Sequence, residues 1–319
     1  MNHPKSVRVD EPFPPRQKND SNPGRCILVA CSGDADSTVP LRRAQALARI
    51  FDARLLVVNV LTHPAWIARF RFPLFSQSSL SRKKLLEEAD RITSFCERVL
   101  GTSEQPAIVL KVGDVGRALL EAADEFRPLM TVLGGSAAAR EGELVDLAAV
   151  VRILLDAGRP VFLARPERRT GRIVAATNFS DPSFPALSQA ARLGARLCSH
   201  VTFVHNVNPE CGTDAEVRCG LPLAQPPVAT QEGVPATDLE RRRRTLDDLA
   251  SGLGEGIDAV VLSEKNAADA ILSVAERREA DLVVLGSRGR GIAKPSTKRG
   301  TAFDVALHAG QSVLTVPMH

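Results

Sequence analysis

Short runs of β-branched and aliphatic residues alternate along this chain with longer stretches whose apolar positions return every third or fourth residue. The first pattern predicts strands and the second predicts helices. In the second half, strands are expected at Ile173–Thr177, Val201–Asn206, Ala259–Leu262, Leu282–Leu285 and Ser312–Val316. Helices are expected at Pro185–Ala195, Thr237–Leu253, Ala267–Arg277 and Ala302–His308. The first half repeats the scheme, with strands at Cys26–Ala30, Leu55–Val60, Ala107–Val112, Leu129–Leu133 and Val161–Ala164. These strands are apolar throughout rather than on alternate positions. Both faces must therefore be covered, as in a parallel sheet between layers of helices.

The two halves also match in detail. A shift of 146 positions carries "ILVACSGDADS" (Ile27 to Ser37) onto "IVAATNFSDPS" (Ile173 to Ser183), and "LLVVNV" (Leu55 to Val60) onto "VTFVHN" (Val201 to Asn206). A shift of 152 carries "LMTVLGG" (Leu129 to Gly135) onto "DLVVLGS" (Asp281 to Ser287), and "AGRPVFLA" onto "AGQSVLTV". The difference between the shifts falls in a longer loop of the second half. Two related domains are expected, over 25–166 and 171–319, joined near "RPERRTG" (Arg165 to Gly171). Residues 1–24 lack the apolar core of a signal peptide and read as a disordered arm.

Composition narrows the class. The chain has 319 residues, 44% hydrophobic and 24% charged, which suits two globular domains. A net charge of +4 is too small for a general nucleic-acid binder. No apolar run reaches the roughly 20 residues that span a bilayer, so no membrane partner is expected and the cytoplasm is the expected compartment. Cys26, Cys31 and Cys198 lie in or beside apolar runs and read as buried, reduced thiols. Cys211 and Cys219 share one loop with no second Cys/His pair nearby, so they do not make a zinc site.

One segment carries chemistry. "GSRGRGIAKPSTKRGT" (Gly286 to Thr301) follows an apolar strand and holds four glycines, five basic side chains and no acid. In an open parallel sheet, ligands bind beyond the carboxyl ends of the strands where the strand order reverses. If the first and fourth strands flank that reversal, this segment faces "NFSDPS" (Asn178 to Ser183) across one crevice. Gly286 and Gly289 would let the backbone approach a ligand, and Gly300 and Thr301 would open a helix whose N–H groups attract phosphate. Turn punctuation on a solvated basic loop is the plain alternative. The matching first-half segment argues against it. "GGSAAAREGELVDLAA" (Gly134 to Ala149) places Ala137, Ala148 and Ala149 opposite Gly289, Gly300 and Thr301. It also carries Arg140 against Glu141, Glu143 and Asp146. Punctuation alone would not need two loops of equal length to diverge in charge and backbone freedom.

With "VAATNFSDPS", "VTFVHNV" and "DLVVLGSRGRG…GTAFDVALHAGQSVLTVP" in view, both halves resemble the universal stress protein family, over roughly 25–166 and 171–317. The resemblance implies an α/β fold of two repeated domains, each an open five-stranded parallel sheet with helices on both faces. This is the adenine nucleotide alpha hydrolase-like, Rossmann-like arrangement. Nucleotide-binding members carry G-x-x-G, nine residues, then G-[S/T]. Here Gly286 and Gly289 match, but ten residues, 290–299, precede Gly300 and Thr301. The family's aspartate at the end of strand 1 is Asn178 here and Ser32 in the first half. Asparagine keeps a carbonyl and adds an NH2, so it can still read a base edge. Asn206 falls where the family's backbone meets adenine. The implied nucleotide-binding set is Asn178, Asn206, Gly286, Gly289, Gly300 and Thr301, with no first-half equivalents.

The expectation that follows is a cytoplasmic stress-response protein binding ATP or another adenine nucleotide in its C-terminal domain. The N-terminal domain would be a structural or dimerising partner. Family members pair domains through their last strands, so Val161–Ala164 and Ser312–Val316 are expected to form an intrachain pseudo-dimer, with a homodimer and an unidentified protein partner left open. A nucleotide-free interaction module of the same fold is the alternative. Slow ATP hydrolysis is a third reading, weakened because Asp181 is the one carboxylate placed to hold Mg2+ or orient water. "RRRR" (Arg241 to Arg244) reads as a solvated helix face, His205 as a packed core histidine and Asp114 as a helix cap. "THPAWIARFRFPLFSQSS" (Thr62 to Ser79), with the only tryptophan, is either a buried segment or a lid for a ligand or partner.

Overall fold

The apolar runs become strands because each can bury both faces, and in the computed structural model each expected strand forms within two residues of its expected bounds. The structure describes residues 7–9, 25–61, 82–102, 105–134, 150–151, 154–155, 158–180, 183–209, 236–287 and 300–317. They divide into two units, Met1–Arg165 and Pro166–His319.

In the first unit, β1 (Val7–Val9), β2 (Cys26–Ala30), β3 (Arg54–Leu61), β4 (Ala107–Val112), β5 (Met130–Leu133) and β6 (Val161–Leu163) lie in the order β1-β4-β3-β2-β5-β6. All neighbours in it are parallel. Helices α1 (Thr38–Ile50), α2 (Arg82–Leu100) and α3 (Val115–Phe126) connect them. β1 corrects the reading of residues 1–24 as a wholly disordered arm. Val7, Arg8 and Val9 pair in parallel with Ile108, Val109 and Leu110. Two β-branched residues around one arginine suit such an edge, where β4 would otherwise leave its backbone groups unpaired.

The second unit holds β7 (Arg172–Thr177), β8 (His200–Val207), β9 (Ile257–Ser263), β10 (Leu282–Ser287) and β11 (Ser312–Pro317), all parallel in the order β9-β8-β7-β10-β11. Its helices are α4 (Phe184–Leu197), α5 (Ala236–Leu253), α6 (Ala267–Arg277) and α7 (Thr301–His308). Ile173, Val174 and Ala175 of β7 and Leu282 to Leu285 of β10 are buried at successive positions. That pattern requires helices on both faces. The first strand of this unit therefore pairs with the fourth on one side and the second on the other, so the strand order reverses between β7 and β10.

Asp114 caps α3 by accepting from the Arg117 N–H at 2.9 Å, and Asn266 caps α6 through Ala268 N–H at 2.9 Å. Cys198 departs from expectation. It sits at the C-cap of α4 with φ 51° and is exposed, because the helix ends before the apolar strand begins. Among the described residues no helix is long and apolar enough to cross a membrane.

Candidate functional site

β7 and β10 run side by side with Ile173 against Leu282 and Ala176 against Leu285. Their carboxyl ends thus open on the same edge of the sheet. Asn178 leaves that edge directly after Thr177, and β10 ends beside it at Ser287. The reversal of strand order falls between them, which is where open α/β sheets hold ligands.

The turn after β7 is built by its own side chains. Phe179 takes the left-handed conformation at φ 59°. Its N–H donates to Thr177 Oγ1 at 2.9 Å, and Thr177 Oγ1 also shares a hydrogen bond with Ser183 Oγ at 2.7 Å. Asn178 is exposed and its Oδ1 accepts from the Ser180 N–H at 3.1 Å and from the Ser180 hydroxyl. Since the Ser180 N–H requires an acceptor, the carbonyl of Asn178 belongs to the turn. The NH2 is the group this side chain has left to offer a ligand.

His205 backs the turn. It is 3% exposed, its Nδ1–H donates to the Thr177 carbonyl at 2.9 Å, and Arg242 Nη1 lies 3.4 Å from its Nε2. The Phe179 ring stacks at 4.2 Å between centroids, tilted 38°. Burial, with a further push from Arg242, lowers the His205 pKa to about 4 against the opposing bond to Thr177. The ring is therefore neutral at pH 7, with a proton on Nδ1 and a lone pair toward Arg242. Arg242 is the member of the four-arginine run that turns inward. Arg241, Arg243 and Arg244 are ion-paired along α5 with Asp238, Asp247 and Glu240, with side chains between 56% and 76% exposed.

Asn206 uses its side chain to extend the sheet. Its Nδ2 donates to Glu264 O at 2.9 Å and its Oδ1 accepts from Glu264 N at 3.0 Å, past the end of β9. That leaves its backbone as the part near the crevice. Gly286 lies in β10 opposite Val316. Ser287 next to it is 6% exposed with a hydroxyl that finds no partner among the described residues. Gly300 is the N-cap of α7, in ordinary extended backbone at φ −79° and ψ 150°, and no side chain caps the helix. A methyl group built on Gly300 would meet no heavy atom within 4 Å. Thr301 is the first helical residue and is exposed. Gly289 and Asp181 lie outside the described residues, as do the segment from Thr62 to Ser79, the loop with Cys211 and Cys219, and Ala137, Ala148 and Ala149. Of the six expected site residues, the structure thus describes five: Asn178, Gly286, Gly300 and Thr301 on the edge formed by β7, β10 and α7, and Asn206 at the end of β8.

The corresponding turn of the first unit is closed. Ser32 takes the place of Asn178, and its hydroxyl donates to Asp34 at 2.7 Å. Arg91 from α2 reaches over it, donating to the carbonyls of Ser32 at 2.6 Å and Gly33 at 3.1 Å. A methyl group on Gly33, at φ 76°, would stand 2.6 Å from Ile92 Cδ1. Gly134, the counterpart of Gly286, has Pro40 Cγ 2.7 Å from where its own methyl group would be. The second unit has Ala186 in place of Pro40. Neither Arg91 nor Pro40 stands out in the sequence, because nothing local says that a helix residue will cross a strand end. Asn59, the counterpart of His205, repeats its bond, with Nδ2 donating to the Cys31 carbonyl at 2.8 Å.

The model of the universal stress protein family matches residues 25–153 and 170–317. A universal stress protein from Archaeoglobus fulgidus DSM 4304 is similar in structure with a TM-score of 0.63 at 15% identity, over 93% of this chain and 99% of its own. A protein of unknown function from Pseudomonas aeruginosa PAO1 has a TM-score of 0.55 at 13% identity, over 92% of each chain. Over 46% of this chain and 95% of its own, the universal stress protein from Archaeoglobus fulgidus in complex with dAMP matches at 21% identity and a TM-score of 0.30. Comparison with curated proteins gives no sequence match.

Proposed function

The chain belongs to the universal stress protein family, and from that premise we propose that it is a cytoplasmic stress-response protein whose C-terminal domain binds ATP or a related adenine nucleotide. The nucleotide lies beyond β7 and β10. Its phosphates meet the glycine loop from Gly286 through Gly289 and the helix start at Gly300 and Thr301. Its base lies toward Asn178 and the backbone of Asn206. The N-terminal domain is the structural and pairing partner, and its own crevice takes no nucleotide.

One observation carries this reading: side chains from two helices cover the edge in the first half, and no described residue covers Gly300 in the second. In the first half Arg91, Ile92 and Pro40 fill the space around Ser32, Gly33 and Gly134. In the second half no described heavy atom lies within 4 Å of a methyl group built on Gly300. Five basic residues between Gly286 and Thr301 add charge complementary to phosphate, where the first-half loop has an acidic excess. Binding rather than turnover is the expected activity; of the residues in the glycine loop and beside Asn178, Asp181 is the carboxylate the sequence offers for Mg2+.

Nucleotide released from the freshly purified, denatured protein and identified by mass spectrometry tests the reading. Recovery of an adenine nucleotide, together with saturable binding of added ATP, supports it. No recovered nucleotide and no ATP binding by the folded protein would leave the loop as a docking surface and overturn it.

A further inference from the structure

His205 holds both chain neighbours of Asn178. Its Nδ1–H donates to the Thr177 carbonyl at 2.9 Å, and its ring stacks on Phe179 with centroids 4.2 Å apart. Phe179 stands in the left-handed region at φ 59°, where a bulky side chain persists only if its surroundings enforce it. The imidazole therefore fixes where Asn178 leaves the sheet. The bond to Thr177 requires one tautomer of the ring. With the proton on Nε2 instead, the Nδ1 lone pair would face the carbonyl oxygen, two acceptors opposed around a side chain that is 3% exposed. Burial, with the charge of Arg242, keeps the ring neutral, so the choice lies between two neutral forms.

Arg242 makes that choice from the other side of the ring. It stands in the second turn of α5, and its Nη1 lies 3.4 Å from His205 Nε2. A guanidinium donates and never accepts, so the nitrogen facing it must carry the lone pair and the proton must sit on Nδ1. The side chain has no other described use. Among the described residues its Nε is buried without a partner and no carboxylate pairs with it. Arg241, Arg243 and Arg244, by contrast, each meet an acid of their own helix. An inward-turned guanidinium with no acid costs free energy, and the orientation of the imidazole is what it secures.

We propose that Arg242 is a positioning residue for the nucleotide site: it fixes the tautomer of His205, and the imidazole then holds the turn that presents Asn178. Its effect on binding rests on the nucleotide reading above, whereas the tautomer does not. The first unit shows why the histidine needs such a neighbour. Asn59 does the same job, donating to the Cys31 carbonyl at 2.8 Å through an NH2 that has no tautomer to choose. With His205→Asn the bond to Thr177 would persist unaided, and Arg242 would have nothing left to position. A direct contact between Arg242 and the ligand would instead survive that replacement.

A cycle of Arg242→Met, His205→Asn and the double variant in the full-length protein tests this, with ATP affinity measured by calorimetric titration. Arg242→Met should weaken binding by about fivefold in the wild-type background and by less than about twofold beside His205→Asn. A loss of equal size in both backgrounds would make Arg242 a ligand contact and overturn the proposal, as would no loss in either. Imidazole nitrogen NMR reads the tautomer without any ligand. Wild-type His205 should carry its proton on Nδ1, Arg242→Met should populate the Nε2–H form, and Arg242→Lys should restore the wild-type spectrum. A wild-type ring protonated on Nε2 overturns the proposal even if no variant folds, and so does an Arg242→Met ring that stays wholly Nδ1–H. Absence of ATP binding by the wild type would overturn the nucleotide reading and the binding effect with it, while the spectra would still decide the tautomer.

Discussion

At the scale of single residues, the same position does one job in two chemistries. Asn59 and His205 each donate to the carbonyl that ends the first strand of their unit, at 2.8 Å and 2.9 Å. Only the histidine titrates. Its folded pKa, about 4, lies below the ordinary 6.5, so the neutral ring stabilises the fold above the unfolded value and that contribution is lost as pH falls through this window. Protonation would also set a second N–H against Arg242. The contribution at stake is up to about 3 kcal/mol. His205→Asn, copying the first half, should keep the bond to Thr177 and flatten this part of the profile. Urea unfolding of both proteins from pH 7 to pH 4.5 checks it, and parallel curves would contradict the assignment. Asn206 offers a second test. Asn206→Ala removes two hydrogen bonds to Glu264 and should cost about 1 kcal/mol by urea unfolding, while ATP affinity changes less than twofold because the backbone makes the proposed contact. The histidine's burial was legible in the strand pattern of "VTFVHN". The inward turn of Arg242 was not, because four identical neighbours carry no sign of which one faces the sheet.

At the scale of elements, strands and helices were legible because burial on both faces leaves uninterrupted apolar runs, and helix starts such as Asp114 announce themselves by side-chain capping. β1 was not legible, since three residues carry no periodicity and the pairing partner is about 100 residues away along the chain. The closure of the first-half crevice was equally hidden, because it depends on Arg91 arriving from another element. What the sequence did show was the start of α7 on Gly300, which has no side chain with which to cap the helix. In the proposed function a phosphate fills that role. Gly300→Val should then weaken ATP binding by at least about tenfold, or roughly 1.4 kcal/mol. The backbone at φ −79° admits valine and a methyl group there meets no described heavy atom within 4 Å, so the protein should still fold, with only the modest loss of stability expected of a β-branched residue at an N-cap. Ala148→Val, the first-half counterpart, should leave ATP affinity alone. Calorimetric titration and thermal melts of the two variants check both parts. Gly300→Val that binds ATP like wild type would return the loop to surface punctuation.

At the scale of the whole molecule, two copies of one architecture differ in the side chains they place at the same edge. Both units put their first and fourth strands side by side, so both inherit a crevice at the reversal of strand order. A nucleotide needs that crevice open, and a glycine there serves only if nothing else occupies the space its missing side chain leaves. Gly134 fails this condition, with Pro40 2.7 Å from where a methyl group would stand, and Arg91 holds both carbonyls of the turn beside it. Opening the first crevice would mean breaking two exposed hydrogen bonds from Arg91 and moving Ile92 and Pro40, at some cost in free energy. A nucleotide bound at typical affinity would have to supply all of it. The expected stoichiometry of ATP binding is therefore one per chain, and Gly300→Val should remove that single event rather than halve the total. Isothermal titration of the full chain measures this directly. A stoichiometry near two would show that the first crevice opens despite Arg91 and Pro40, and the division of labour between the domains would be wrong.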